Sequence, residues 1–280
     1  MRFFAVSAGR SIHLKDGKRV VSMVKIRQIQ GNLGDATLDS NLKQPTIVLF
    51  DLDGTLVHHV NPRVLQALEF LDDCSHRAAR LVARFRLMRR NCAVEPHKVP
   101  KLLVHRAIHR VRRKSVEDML VPCETLRSVL ERLRSNGVIL GLVSNGLGRG
   151  YGHDVLEAFD LKKYFSVCVF REDVARGKPW PNSILAALGG LGRNVRARDV
   201  IWYVGDQRKD VDAVMAASAV LSRPIVPVAL GARAALRAVD GDCPNLQIAW
   251  SAHELERVTA DMFAAKQKRP VLQPYPVGSI

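Results

Sequence analysis

The chain has 280 residues, 47% of them hydrophobic but only 6% aromatic, and its formal net charge at pH 7 is +16. That length suits one large domain, or a domain with a smaller one inserted, around a core of Leu, Val, Ala and Ile. The charge favours anionic partners such as nucleic acid, an acidic membrane surface or phosphorylated metabolites, and no apolar run approaches the length of a membrane span.

Residues 1–44 read as a basic extension. Phe3–Val6 and Arg19–Val24 form two short strands around a turn at Lys15–Lys18, or the whole stretch is a disordered tail. Met23 is a second candidate start. Polar Arg10–Lys15 soon follows the apolar opening and argues against a secretory signal, while a short targeting peptide is left open. Thr46–Phe50 predicts a buried strand running into Asp51-Leu52-Asp53-Gly54-Thr55-Leu56. From Asn61 to Asp118 the pattern is helical, with Leu65, Leu68, Phe70 and Leu71 on one inner face, a break over Asn91–Pro100, and a second helix over Lys101–Arg113.

Pro122 marks re-entry to the core. Glu124–Asn136 predicts a helix with Leu126, Leu130 and Leu133 inward and Gly137 as its stop. Strands follow at Val138–Val143, Ser166–Phe170, Ile201–Val204 and Ile225–Ala229, alternating with helices near His153–Phe159, Asn182–Leu188 and Asp210–Ala219. A further helix is expected over Ala252–Lys268, then a Pro-rich tail from 269 to 280. The alternation implies an α/β fold, a parallel sheet with helices on both faces, whose ligands bind at the carboxyl ends of the strands. The five cysteines, Cys74, Cys92, Cys123, Cys168 and Cys243, show no CxxC pair and no zinc-ligand spacing, which points to free thiols and a reducing, cytoplasmic setting.

Three predicted strands end in polar clusters. Asp51 and Asp53 leave an extended chain on one side, before a glycine that permits a tight turn. One carboxylate can attack phosphorus while the other protonates a leaving oxygen and later activates water; alternatively both are ordinary turn residues. Asp206 and Asp210, four apart after another strand, would join Asp51 in offering the oxygen ligands Mg²⁺ prefers, although Asp210 also reads as a helix N-cap, with Asp212 as the surface residue. Lys178, in the stiff Gly177-Lys178-Pro179-Trp180-Pro181 loop, would offset charge on a nucleophile and a phosphate; alone it is one more solvated lysine. Ser144, Asn145 and Gly146 supply a hydroxyl and backbone N–H groups for a phosphoryl oxygen, or cap a helix.

In order, DLDGTL at 51–56, SNG at 144–146, GKPWP at 177–181 and GDQRKD at 205–210 resemble the four motifs of the haloacid-dehalogenase-like hydrolase superfamily, most nearly its phosphoglycolate phosphatase-like group, over residues 46–231. The resemblance implies a Rossmann-like core at 45–59 and 122–268, with an inserted helical cap at 60–121. It implies Asp51 as nucleophile and Asp53 as general acid and base, with the Asp53 backbone carbonyl touching the metal. Thr55 would steady the loop beside the substrate. Ser144 and the backbone of Asn145 would bind the phosphoryl group, and Lys178 would neutralise charge. Mg²⁺ would sit on Asp51, Asp53, Asp206 and Asp210. His58 and His59, near the hinge, would touch substrate.

The expected activity is Mg²⁺-dependent hydrolysis of a small anionic phosphorylated metabolite, phosphoglycolate among the candidates, through an aspartyl-phosphate. The cap is rich in arginine, with Arg77, Arg80 and Arg84 on one helical face and Arg106, Arg110 and Arg113 on another. That is a solvated basic face, a surface for an anionic substrate or partner, or a nucleic-acid contact, and it keeps open a nucleotide or nucleic-acid-end phosphatase, alongside a phosphomutase and a non-catalytic nucleic-acid or protein-binding module on the same fold.

Overall fold

Four apolar residues in a row, Ile47–Phe50, form β1, and all four are buried because the strand is covered on both faces. The computed structural model describes residues 42–60, 116–239, 243 and 245–267. The basic extension up to residue 41, the cap segment 61–115 with its arginines, and the tail 269–280 lie outside the described residues.

After β1 come β2 (Val57–His59), β3 (Leu120–Pro122), α1 (Glu124–Ser135), β4 (Ile139–Val143), α2 (His153–Ala158), β5 (Val167–Val169), α3 (Asn182–Gly189), β6 (Ile201–Gly205), α4 (Arg208–Leu221), β7 (Val226–Leu230), α5 (Ala232–Val239), β8 (Gln247–Ala249) and α6 (Ala252–Gln267). Six strands form one parallel sheet in the order β5-β4-β1-β6-β7-β8. The connection reverses direction at β1, between β4 and β6, and such a switch point opens a crevice at the carboxyl ends of the strands.

Side-chain alternation divides the core into two layers. Val48 and Phe50 of β1, with Trp202 and Val204 of β6, pack on the face covered by α1 and α6. Ile47, Leu49, Ile201 and Tyr203 pack on the other, against Ile184 and Ala187 of α3 and Ala213, Val214 and Ala217 of α4. Helix α1 buries Leu126, Val129, Leu130 and Leu133, each contributing about 1.5–3 kcal/mol relative to exposure. It stops at Asn136, and Gly137 follows with φ +77°. No helix among the described residues is long and apolar enough to cross a membrane.

Three features differ from the sequence reading. Residues 57–60 are not only a hinge: β2 pairs antiparallel with β3, and Val60 N donates to Met119 O at 2.9 Å, so the chain leaves the core and returns to it side by side. The helical stretch expected to reach Asp118 has given way to a turn by Val116–Met119. Strand β8 was not anticipated. Three-residue strands show no readable period, and these form because a partner edge is present.

Candidate active site

Asp51 lies one residue beyond β1, its N–H bonded to Val204 O at 2.9 Å, and it is 3% exposed. Beyond it the chain folds back tightly, with Gly54 N donating to Val57 O at 2.8 Å. Gly54 adopts φ +88°, and a Cβ there would sit 2.5 Å from Asp206 Oδ2. The loop therefore needs glycine both for its backbone and for the close approach of the acidic cluster.

Lys178 reaches this pocket from the loop after β5. Its loop is anchored by Asn145, which accepts from Lys178 N at 2.8 Å and donates to Lys178 O at 2.9 Å. The Lys178 ammonium is fully buried, hydrogen-bonded to Asp51 Oδ1, 2.7 Å from Asp210 Oδ1 and 3.3 Å from Val143 O. Burial would lower its pKa, but the carboxylates of Asp210 and Asp51 more than reverse that and hold it well above the ordinary lysine value.

Asp210 is not the N-cap residue, which is Gln207, but it does bond the start of the helix. Helix α4 starts at Arg208, so Asp210 falls in its first turn; its Oδ2 accepts from Gln207 N at 3.0 Å, while Oδ1 also accepts from Tyr203 OH at 3.2 Å. Asp212 pairs instead with Arg208 at 3.6 Å. With these partners Asp210 is committed to holding Lys178 and the loop. Asp206 is different: its Oδ1 is buried and has no hydrogen-bond partner.

Oxygens of Asp51, Asp206 and Asp210 lie within 4.8 Å of one another. Burial pushes Asp51 up to about 8, despite the pull of Lys178, and burial with the nearby Asp210 charge pushes Asp206 up to about 6. Three carboxyl groups thus face one ammonium. Fully ionised, these four groups carry two excess negative charges, which is the deficit a divalent cation fills, and the orphaned Asp206 oxygen is a ligand atom available to such an ion.

Asp53 belongs to a separate network. Its side chain turns away from the acidic cluster and accepts a hydrogen bond from Tyr151 OH on Oδ1, with Ser144 Oγ 3.4 Å from Oδ2. His59 Nε2 is 3.0 Å from Tyr151 OH and 3.7 Å from Asp53 Oδ1. Burial alone would raise the Asp53 pKa, but the nearby His59 and the Tyr151 hydroxyl outweigh it and hold the carboxyl below its usual range. Ser144 is buried and its Oγ accepts from Gly146 N at 2.9 Å. Thr55 is wholly buried, with no partner for Oγ1.

The structure thus gathers Asp51, Asp53, Ser144, Asn145, Lys178, Asp206 and Asp210, drawn from the carboxyl ends of β1, β4, β5 and β6. The two histidines separate: strand alternation in β2 turns His59 inward and leaves His58 exposed. Sequence reasoning missed Tyr151 and Tyr203. Tyr203 is an ordinary strand residue until its facing layer is known, and Tyr151 lies in the irregular Gly148–Gly152 turn, which carries no periodic signal.

A family model for haloacid dehalogenase-like hydrolases matches residues 45–218. Over 88 residues the chain is 38% identical to a phosphoglycolate phosphatase of Escherichia coli K12 and 36% identical to one of Salmonella paratyphi A, in each case over 31% of this chain and 33% of the relative. The match therefore spans about a third of the length of these curated relatives. Among solved structures, a HAD-superfamily hydrolase from Ehrlichia chaffeensis superposes with a TM-score of 0.50 at 16% identity, covering 80% of this chain and all of the other, a likeness of fold. With the parallel sheet and its switch-point crevice, the match over residues 45–218 establishes that the chain belongs to the haloacid dehalogenase-like hydrolase family.

Proposed function

We propose that the protein is a Mg²⁺-dependent phosphatase that cleaves phosphomonoesters of small anionic metabolites through a phosphoryl group carried on Asp51. The observation that carries this reading is the division of labour between carboxylates: Asp51 is held by the buried Lys178 in an acidic cluster, while Asp53, two residues on, is held in its own donor network facing Ser144.

In this reading Asp51, Asp206 and the Asp53 backbone carbonyl hold the ion, with Asp210 as a further ligand or the holder of a bound water. The ion supplies charge neutralisation and polarises the phosphoryl oxygens. Ser144 Oγ and the Asn145 backbone N–H bind a non-bridging oxygen, and Lys178 offsets charge on Asp51 and on the phosphate. An Asp51 carboxylate oxygen attacks phosphorus, the bond to the leaving oxygen breaks, and that oxygen takes the proton that Asp53, ionised in the free protein, acquires beside the negatively charged phosphoryl group. Asp53, now ionised, takes a proton from the water that attacks the phospho-aspartate, releasing phosphate and restoring both side chains.

Residues 60–121 are proposed as the cap that shields this chemistry from water. The β2–β3 ribbon, which holds their two ends together, supports an inserted unit. The phosphoglycolate phosphatases among the partial relatives favour a small phosphorylated carboxylic acid as substrate.

The test is hydrolysis of p-nitrophenyl phosphate with Mg²⁺, with EDTA, and by Asp51→Asn, followed by a panel of phosphorylated metabolites and phosphorylated oligonucleotides. Turnover abolished by EDTA and by the substitution is the expected result. Separately, Mg²⁺ at 100 times its Kd adds about 2.7 kcal/mol to stability, a rise in Tm of about 5–10 °C for a domain of this size. No turnover across the panel and no thermal shift would sink the reading.

A further inference from the structure

Asp53 and His59 of β2 lie close together in the chain, and Tyr151, 98 and 92 residues further on in the turn after β4, joins them in one hydrogen-bonded row. Tyr151 is 4% exposed, its ring in the core layer and its hydroxyl on Asp53 Oδ1. A tyrosine hydroxyl has one hydrogen. That hydrogen goes to Asp53, so the 3.0 Å contact with His59 Nε2 requires the imidazole to donate to the Tyr151 oxygen. The row therefore runs His59 Nε2–H to Tyr151 OH to Asp53 Oδ1. The other carboxyl oxygen is differently placed: Oδ2 faces Ser144 Oγ at a long 3.4 Å, on the side where the phosphoryl-binding Ser144-Asn145-Gly146 loop lies.

We propose that Tyr151 and His59 are positioning residues that clamp Oδ1 of Asp53 and so reserve Oδ2 as the oxygen that delivers the proton to the leaving group and later takes one from water. The inference rests on the phosphatase reading. Oδ1 can accept from Tyr151 whether Oδ2 carries a proton or not, so the clamp persists through both half-reactions and the carboxyl group does not rotate between them. A buried tyrosine hydroxyl would be satisfied by any backbone carbonyl; here its acceptor is the one carboxylate assigned to proton transfer. His59 in turn fixes the direction of the Tyr151 hydrogen. His58, one residue away and exposed, has no place in the row.

Proton delivery matters most when the departing oxygen is a strong base. The experiment compares kcat/KM, which reports the step in which the leaving group departs, for p-nitrophenyl phosphate and p-methylphenyl phosphate, substrates of similar shape and different leaving-group basicity. General acid catalysis contributes about 10²–10⁴-fold. Mispositioning rather than loss of the acid in Tyr151→Phe or His59→Leu should lower the p-methylphenyl substrate about tenfold more than the p-nitrophenyl one. His59→Gln, which keeps an N–H near the Nε2 position, should restore the wild-type ratio. Equal losses on both substrates, or the same ratio in His59→Gln and His59→Leu, would overturn the clamp. Thermal melts accompany each variant, and if Tyr151→Phe does not fold, the His59 pair decides. Wild-type protein that turns over neither these two substrates nor any compound of the panel above, and shows no Mg²⁺ thermal shift, overturns the phosphatase reading and the clamp with it; an active wild type with an unchanged ratio overturns the clamp alone.

Discussion

Replacing Lys178 by methionine removes the buried ammonium that pairs with Asp51 and Asp210 and lies near Asp206, at nearly constant volume. The Lys178–Asp210 separation is 2.7 Å and both groups are buried. Breaking a buried pair from one side costs about 3–5 kcal/mol, because the partner charge stays behind unpaired. The cost must depend on pH. A carboxyl whose folded pKa is raised contributes stability that is fully present below its unfolded value and is lost as pH rises through the folded one. Asp51 already stands at about 8 and Asp206 at about 6; Lys178 restrains both, with Lys209 and Arg233 also acting on Asp206. Without it they rise further, and stability falls more steeply with pH, by up to about 1.4 kcal/mol per pH unit for each extra proton held. Urea denaturation in EDTA at pH 5 and pH 8 measures this. The loss should be clearly larger at pH 8, and Asp210→Asn in the same chain should recover part of it. Activity should fall at least about 10²-fold, the scale for removing one such charge-stabilising donor. A loss under about 1 kcal/mol at pH 8, or the same loss at both pH values, would refute Lys178 as the cluster's counter-charge.

Two further substitutions probe how the scaffold holds the site. Gly54→Ala puts a Cβ against the Asp206 carboxylate on a backbone at φ +88°, so it should destabilise by at least about 1–2 kcal/mol and weaken metal-dependent turnover, read by Tm and by the Mg²⁺ concentration for half-maximal rate. Asp199 ties the start of β1 to the loop before β6: it accepts from Arg193 through both oxygens at 2.7 and 3.0 Å, from Arg196 N at 2.7 Å and from Thr46 Oγ1 at 3.0 Å. The Arg193 bond, with the Arg196 and Thr46 bonds, holds its carboxyl well below the usual range against the effect of burial. Its stabilisation is therefore present above the unfolded value and is lost as pH falls through the folded one. Asp199→Ala should cost about 2 kcal/mol at pH 7, since Arg193 is partly exposed. The gap to wild type should narrow in acid melts below pH about 4; a gap constant with pH would refute the pairing.

Much of the architecture was legible because it is local. A four-residue apolar run forces a strand buried on both faces, and the Leu spacing in Glu124–Ser135 forces a helix with one inner stripe. Strands followed by Asp51, Ser144 and Asp206 mark the crevice in the sequence itself. Other features lie beyond the sequence because they depend on neighbours far along the chain. The spacing of Asp210 suggests a metal ligand or an N-cap; its contact with Lys178 is not legible there, because it exists only once the Lys178 loop has folded over β1. His58 and His59 are equal in sequence until β2 pairs with β3 and the pleat sends one inward. Tyr151 becomes part of the site only because an irregular turn carries it to Asp53. The sequence by itself determined the longer strands and helices and which acids sit at their ends, through periodicity and turn chemistry, but not the three-residue strands β2, β3 and β8. Only the tertiary structure decided which acid has which partner, because hydrogen bonds and burial between distant segments exist only after the sheet has closed its order.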